Sequence, residues 1–293
     1  MSIDSGATLA SVHIYPLKGA RAVDLDRAVV EPWGLAGDRR WLLVDSDCQF
    51  MSQRRHPALA RLIVSCQNPG DGITVASDGH PPLTVPAPGD SAELLKVTVW
   101  RSTVLAASAG PAADAWFSRY LGEPVRLVWL DDPTRRPVDP DYGRDGDTVS
   151  FADGYPLLLT SAGSLDQLNQ WLTAAGDGPV PMNRFRPNVV VTGYPPWAED
   201  HWRRIRIGTV EFRVAKPCGR CVVTTTDQAT GERGGQPLKM LAARRRVGQN
   251  LLFGSNLVPD SPGIIRVGDP AEIILFRRNI IRSRLNIRAI VPA

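Results

Sequence analysis

"IRIGTVEFRVAKPCGRCVVTTTDQATGE", residues 205–232, is the stretch from which the fold is read. Ile205, Ile207, Val210, Phe212 and Val214 recur at period two, and Gly208-Thr209 between them supply a turn, so residues 205–214 predict a β-hairpin. The hairpin delivers the chain into Cys218-Gly219-Arg220-Cys221, and the β-branched run Val222 to Thr226 predicts more strand beyond it. Outward in both directions the pattern repeats. Short apolar runs such as "ASVHIYPL", "RWLLVDS", "LLKVTVW", "VRLVWL", "NVVVTG" and "AEIILF" are punctuated by 26 Gly and 25 Pro, the signature of many short strands and tight turns.

Helices are few. "GSLDQLNQWLTAAG" reads as one, with Ser164 and Gln167 as a capping box, Leu165, Leu168, Trp171 and Leu172 on one face and Gly176 as the stop. "PAADAWFSRYLGE" reads as a second, from Pro111 to the terminator Gly122, with Trp116, Phe117, Tyr120 and Leu121 as a stripe best explained by core packing. "QPLKMLAARRR" predicts a third, shorter one. The expected class is therefore mainly β with a few α-helices, in barrel-like sheets.

A chain of 293 residues predicts two domains, and the aperiodic Pro, Asp, Arg and Gly of residues 130–154 predict the linker, a segment polar enough to face a ligand as well. No apolar run reaches the roughly 20 residues of a membrane helix, and the N-terminus lacks a secretory pattern, so a cytoplasmic chain is expected. The pI near 9.0 suggests a nucleic-acid binder until the charge is located. The last seventeen residues carry Arg277, Arg278, Arg282, Arg284 and Arg288 and no acid; without them the formal charge falls from +4 to −1. That argues against an extended phosphate-tracking surface and leaves no specific nucleic-acid binding expected.

Cys48, Cys66, Cys218 and Cys221 make no disulfide framework. Cys218 and Cys221 leave several chemistries open. Zinc needs about four ligands, and no second pair accompanies them. A redox pair is best served at a helix N-terminus, whereas here a β-branched run follows. One exposed thiolate on a turn, stabilised by Lys216 and Arg220, suits a soft transition metal. A buried, inert pair fits the same spacing. "NRFRPNVVV" places Arg184 and Arg186 before an apolar strand, Pro187 predicts an extended Arg186, and Lys18, Arg39 and Arg40 stand at other strand ends; such arginines bind phosphates or form surface ion pairs.

Taken together, "IYPLKG", "GDRRWLLVD", "MSQRRHP", "LLLTSAGSLDQLN", "RFRPNVVV", the 205–232 stretch and "LFGSNLVPDSPGIIRVGDP" resemble, in that order, the MOSC family, named for the molybdenum cofactor sulfurase C-terminal domain. The likeness is to its branch with an N-terminal β-barrel domain, and within that to the amidoxime-reducing members. The resemblance implies an N-terminal barrel domain over 1–130, a MOSC domain over 131–276 and a basic tail, 277–293, beyond it. It implies a molybdenum cofactor (Mo-molybdopterin) whose metal takes the Cys221 thiolate, with Lys18, Arg39, Thr160, Ser161, Arg186, Asn188, Gly219 and Arg220 as cofactor contacts. Gly19 and Gly219 depart from relatives that often carry Ser there.

The activity so implied is reduction of small N-hydroxylated substrates (amidoximes, hydroxylamines, N-hydroxylated bases). No cysteine follows Cys221 to hold an iron–sulfur cluster, and neither a Walker A motif nor GxGxxG is present, so electrons are expected from a separate reductase or ferredoxin. The rival is a non-catalytic carrier of molybdenum cofactor or of persulfide sulfur on Cys221; a plain thiol–disulfide protein, needing both cysteines equally, comes third.

Overall fold

The computed structural model describes residues 6–66, 68 and 70–276; the basic tail lies outside them. The expected hairpin forms as strands Trp202–Ile207 and Val210–Gly219, paired from Arg204↔Arg213 to Ile207↔Val210 around Gly208-Thr209. Ile205, Ile207, Val210, Phe212 and Val214 all point into the main core, as period two requires. The outward Arg204, Arg206 and Arg213 form ion pairs with Glu211 and Asp260.

The hairpin belongs to a nine-stranded sheet. Its order runs from the edge strand Ala271–Phe276 through the hairpin, Asn250–Pro259, Leu157–Ser161 and Val189–Thr192 to Thr8–Ile14 and Val23–Leu25. The first strands of the chain thus complete the sheet of the second half, and Arg27–Glu31 likewise pairs with Gly263–Arg266. A second core lies in the first half, under α1 (Pro111–Leu121), which packs Trp116 and Phe117 inward and stops at a left-handed Gly122. The mainly β class is as expected. α2 (Ala162–Ala174) and α3 (Leu238–Arg244) are the other helices predicted.

Three local expectations fail, each for a tertiary or local hydrogen-bonding reason. α2 starts earlier than its capping box predicts, because Ser164 Oγ is already engaged, donating to Glu199 Oε2 at 2.9 Å and accepting from the Trp197 amide at 2.8 Å. The run after Cys221 is a 3₁₀ turn, Val222–Thr225, rather than strand: Thr224 Oγ1 and Thr225 Oγ1 bond back to the carbonyls of Cys221 and Val222 at 3.0 and 2.8 Å and replace ladder partners. Arg186 is left-handed (φ 54°, ψ 49°) rather than extended. Residues 130–154, expected as the linker, are packed against the rest of the chain, with Pro133, Arg136, Val138, Val149, Phe151 and Ala152 buried.

Glu199 is fully buried, its Oε1 has no partner, and burial pushes its pKa up to about 7, against the opposing Ser164 hydrogen bond. The folded state therefore holds this proton more tightly than the unfolded chain. Stability contributed by the protonated form is full below the unfolded value near 4.5 and is lost as pH rises through about 7. Urea unfolding from pH 4.5 to 8 is expected to lose on the order of 3 kcal/mol from this group, and Glu199→Gln should flatten that slope; an unchanged slope in the variant would exclude Glu199 as its source.

Candidate functional site

The hairpin's second strand ends in a cleft. Gly219 still pairs with Leu252, the Arg220 amide donates to Leu251 O at 2.7 Å, and the chain then turns so that Cys218 and Cys221 both face the opening. Both thiols are free and half-buried. They differ in what holds them. Arg220 Nη1 lies 2.9 Å from Cys218 Sγ while its Nη2 donates to Phe185 O at 2.6 Å; among the described residues no hydrogen bond engages the Cys221 thiol.

Lys18, Arg39, Arg186 and Arg220 line the same cleft, as do Asn188 and Gly219. Tyr15 organises two of the arginines. Its buried ring has the Arg39 guanidinium at 4.4 Å and that of Arg186 at 4.2 Å, and its hydroxyl donates to Pro187 O at 3.1 Å. Burial pushes the Tyr15 phenol up to about 12 and the Arg186 guanidinium down to about 10. Arg186 Nη1 donates to Gln228 Oε1 at 3.0 Å, and Gln228 clasps Gln53, whose Nε2 reaches Gly19 O at 2.6 Å, so the two halves of the chain meet over the cleft.

Two carboxylates answer these cations. Buried Asp38 takes Arg39 Nη1 at 2.5 Å. Asp153 takes Lys18 Nζ at 2.5 Å and Trp100 Nε1 at 3.1 Å. The Lys18 charge and these hydrogen bonds hold Asp153 well below the usual carboxylate range, although its side chain is open to solvent. Burial in turn pulls the Lys18 ammonium below its ordinary value. Among the described residues Asp153 is the one carboxylate lining the cleft, against Lys18, Arg39, Arg54, Arg186 and Arg220. A desolvated surplus of positive charge suits an anionic group such as a phosphate. The buried Arg220 Nε, which has no partner, adds an unfilled donor. With a soft thiol beside it, this donor set fits a phosphorylated cofactor carrying a thiophilic metal.

Backbone strain gathers here too. Among the described residues five non-glycines have positive φ, and three of them, Arg39 (48°), Trp100 (57°) and Arg186 (54°), line this cleft. The cleft encloses ≈ 160 Å³ and shares Trp100, Asp153, Tyr155 and Cys218 with a vestibule of ≈ 910 Å³.

The structure therefore brings Lys18, Arg39, Arg186, Asn188, Gly219, Arg220 and Cys221 together. It does not bring Thr160 and Ser161: both are fully buried in the central strand Leu157–Ser161, Thr160 Oγ1 bonds Met182 Sδ at 3.3 Å, and Leu157 and Leu158 line the cleft instead. Arg184 and Arg40 are committed elsewhere, Arg184 to Asp227 at 2.8 Å and Arg40 to Leu130 O at 2.8 Å. Among the described residues no group of three or more His, Cys, Asp or Glu could hold a metal ion. No helix among them is long and apolar enough to cross a membrane. Sequence reasoning missed Tyr15, Asp38, Trp100 and Gln228, which no spacing marks; only the polarity of residues 130–154 hinted at Asp153.

Residues 6–124 match the family model described as the MOSC N-terminal beta barrel domain, and residues 146–272 match the MOSC domain. The chain is 31% identical over 286 residues to mitochondrial amidoxime-reducing component 1 of Homo sapiens, covering 91% of this chain and 83% of that protein. It is 29% identical over 282 residues to mitochondrial amidoxime reducing component 2 of Bos taurus, covering 90% and 82%. It is also 27% identical over 268 residues to molybdenum cofactor sulfurase of Bos taurus, covering 86% of this chain and 30% of that protein.

Proposed function

The chain belongs to the MOSC family, with the N-terminal barrel domain and the MOSC domain in one polypeptide, and from that premise we propose that it is a molybdenum-cofactor-dependent reductase of N-hydroxylated compounds. The observation that carries the reading is the meeting, in one cleft, of the uncommitted Cys221 thiol with a desolvated surplus of arginine and lysine charge. Lys18 and Arg39 from the first part of the chain, and Arg186, Gly219 and Arg220 from the second, would hold the cofactor across the division near residue 130. Cys221 would hold its metal. Thr160 and Ser161 do not line the cleft.

Bound there, the cofactor would supply the two electrons of R–NHOH + 2e⁻ + 2H⁺ → R–NH₂ + H₂O. The protein's share is positioning and charge. Asp153, held ionised by Lys18 and facing the opening, accepts hydrogen bonds from a substrate N–H or O–H and is no proton donor at neutral pH. Electrons come from a separate donor protein.

Likeness to a molybdenum cofactor sulfurase over most of this chain supports the second reading, a carrier of cofactor or of persulfide sulfur. One experiment separates the two. Protein from a host that makes the cofactor is mixed with dithionite-reduced methyl viologen and benzamidoxime. Multiple turnovers to benzamidine support the reductase. A loaded protein that turns over nothing but passes cofactor to an apo-acceptor enzyme would reject it for the carrier.

A further inference from the structure

Trp100 and Arg101 form the two-residue connection between strands Leu94–Val99 and Ser102–Ser108, which pair from Ser102↔Val99. Gly, Asn and Asp serve positive φ in such turns at little cost, whereas Trp100 holds φ at 57° with a bulky side chain. The indole is fixed in place: Nε1 donates to Asp153 Oδ1 at 3.1 Å, the Phe50 ring centroid is 4.7 Å away at 57°, and the Arg54 guanidinium lies 4.4 Å from the ring centre. Yet Trp100 is 41% exposed and lines both the cleft and the vestibule, at the carboxylate that Lys18 holds ionised. Turn geometry would be better met by glycine, and core packing would bury the ring. Neither accounts for a strained, oriented and open indole at this junction, and strain that surrounding contacts maintain gathers where a ligand is positioned.

We propose that Trp100 is a substrate-positioning residue that selects planar, aromatic or heteroaromatic N-hydroxylated compounds, holding their ring against the indole while the N–OH end enters the cleft toward Cys221. This rests on the reductase reading. An indole is a large π-surface with little conformational freedom to lose, and ring-on-ring contact rewards flat substrates over alkyl ones of the same head group. The same vestibule carries Tyr142 and Tyr155, with Lys216 Nζ 4.2 and 5.2 Å from their ring centres, so its aromatic surface extends beyond Trp100. The Trp100–Asp153 hydrogen bond orients the carboxylate and the platform together, which couples ring recognition to the group that receives the N–OH.

The test compares benzamidoxime with acetamidoxime, in cofactor-loaded wild type, Trp100→Gly and Trp100→Phe. Trp100→Gly is expected to raise KM for benzamidoxime about tenfold more than KM for acetamidoxime, the range one aromatic contact is worth. The Kd of benzamidoxime from calorimetry should rise in parallel. The melting temperature should equal or exceed that of wild type, because glycine relieves the positive φ. Trp100→Phe, which keeps a ring but no N–H, should restore most of the selectivity. An unchanged KM ratio in Trp100→Gly would overturn the proposal. So would a lowered melting temperature with equal losses on both substrates, the mark of a structural post. A loaded wild type that reduces neither substrate would overturn the reductase reading and this inference with it, an outcome distinct from a working enzyme with unaltered selectivity.

Discussion

Cys221→Ser is expected to lose benzamidoxime reduction by more than the ~100-fold that removing an outer-shell partner of a metal ligand costs, while its melting temperature stays near that of wild type. Serine is isosteric but its hydroxyl is not a soft anion at neutral pH, so the metal would lose its protein ligand without any loss of packing. The half-buried Cys221 side chain makes no hydrogen bond among the described residues, so little folding energy depends on it. Cys218→Ser is the informative comparison. It removes the sulfur that Arg220 Nη1 touches at 2.9 Å and should cost far less activity. Steady-state turnover of the two variants, each with cofactor content measured, decides between one ligand and a pair: equal losses would place the thiol–disulfide reading ahead of the metal reading.

Asn188→Ala is expected to damage the fold itself. The 1% exposed side chain is a three-way node: Oδ1 accepts from the Leu158 amide at 3.1 Å and from Arg39 Nη1 at 3.0 Å, and Nδ2 donates to His13 O at 3.1 Å. Alanine leaves a buried amide, a buried carbonyl and part of a guanidinium without partners. With each orphaned group costing about 1–3 kcal/mol, the loss should be on the order of 3 kcal/mol or more. Urea unfolding measures it, and a change below about 1 kcal/mol would show that water or rearrangement satisfies these groups. The resemblance suggested Asn188 as a cofactor contact. Asn188 lines the cleft, and its hydrogen bonds also fasten strand Thr8–Ile14 to strand Leu157–Ser161 and hold Arg39, so it bears on the cleft through the scaffold as well.

Much of this was legible because it is local. Period-two alternation gave the hairpin over 205–214, whose observed strands extend it to 202–219, and the Pro111 and Gly122 signals gave α1 within its observed bounds. Local signals misled where tertiary contacts compete with them. Ser164 looked like a cap but serves Glu199 and Trp197, and the threonines after Cys221 turn their hydroxyls onto the preceding carbonyls. Pro187 disfavours the right-handed α region at Arg186, yet stacking on Tyr15 and the bond to Gln228 hold that residue left-handed.

The candidate site divides the same way. Cys221, Gly219 and Arg220 are contiguous and were read as a unit. Lys18 and Arg39 join them only because the first strands enter the second half's sheet, a long-range pairing that no residue spacing encodes. Thr160 and Ser161 are near in sequence to cleft residues but occupy the far end of a wholly buried strand. Asp153 and Trp100 come from a presumed linker and a hairpin turn, the segments where sequence pattern says least.

The central claim is that this cleft holds a molybdenum pyranopterin through its cations and Cys221. Molybdenum and pterin per protein, measured after expression in a host that makes the cofactor, test it most directly. Near-stoichiometric amounts of both in wild type, with the metal lost or spectroscopically altered in Cys221→Ser, are the expected result. Neither metal nor pterin in wild type, with a known molybdoenzyme from the same host fully loaded, would contradict the account.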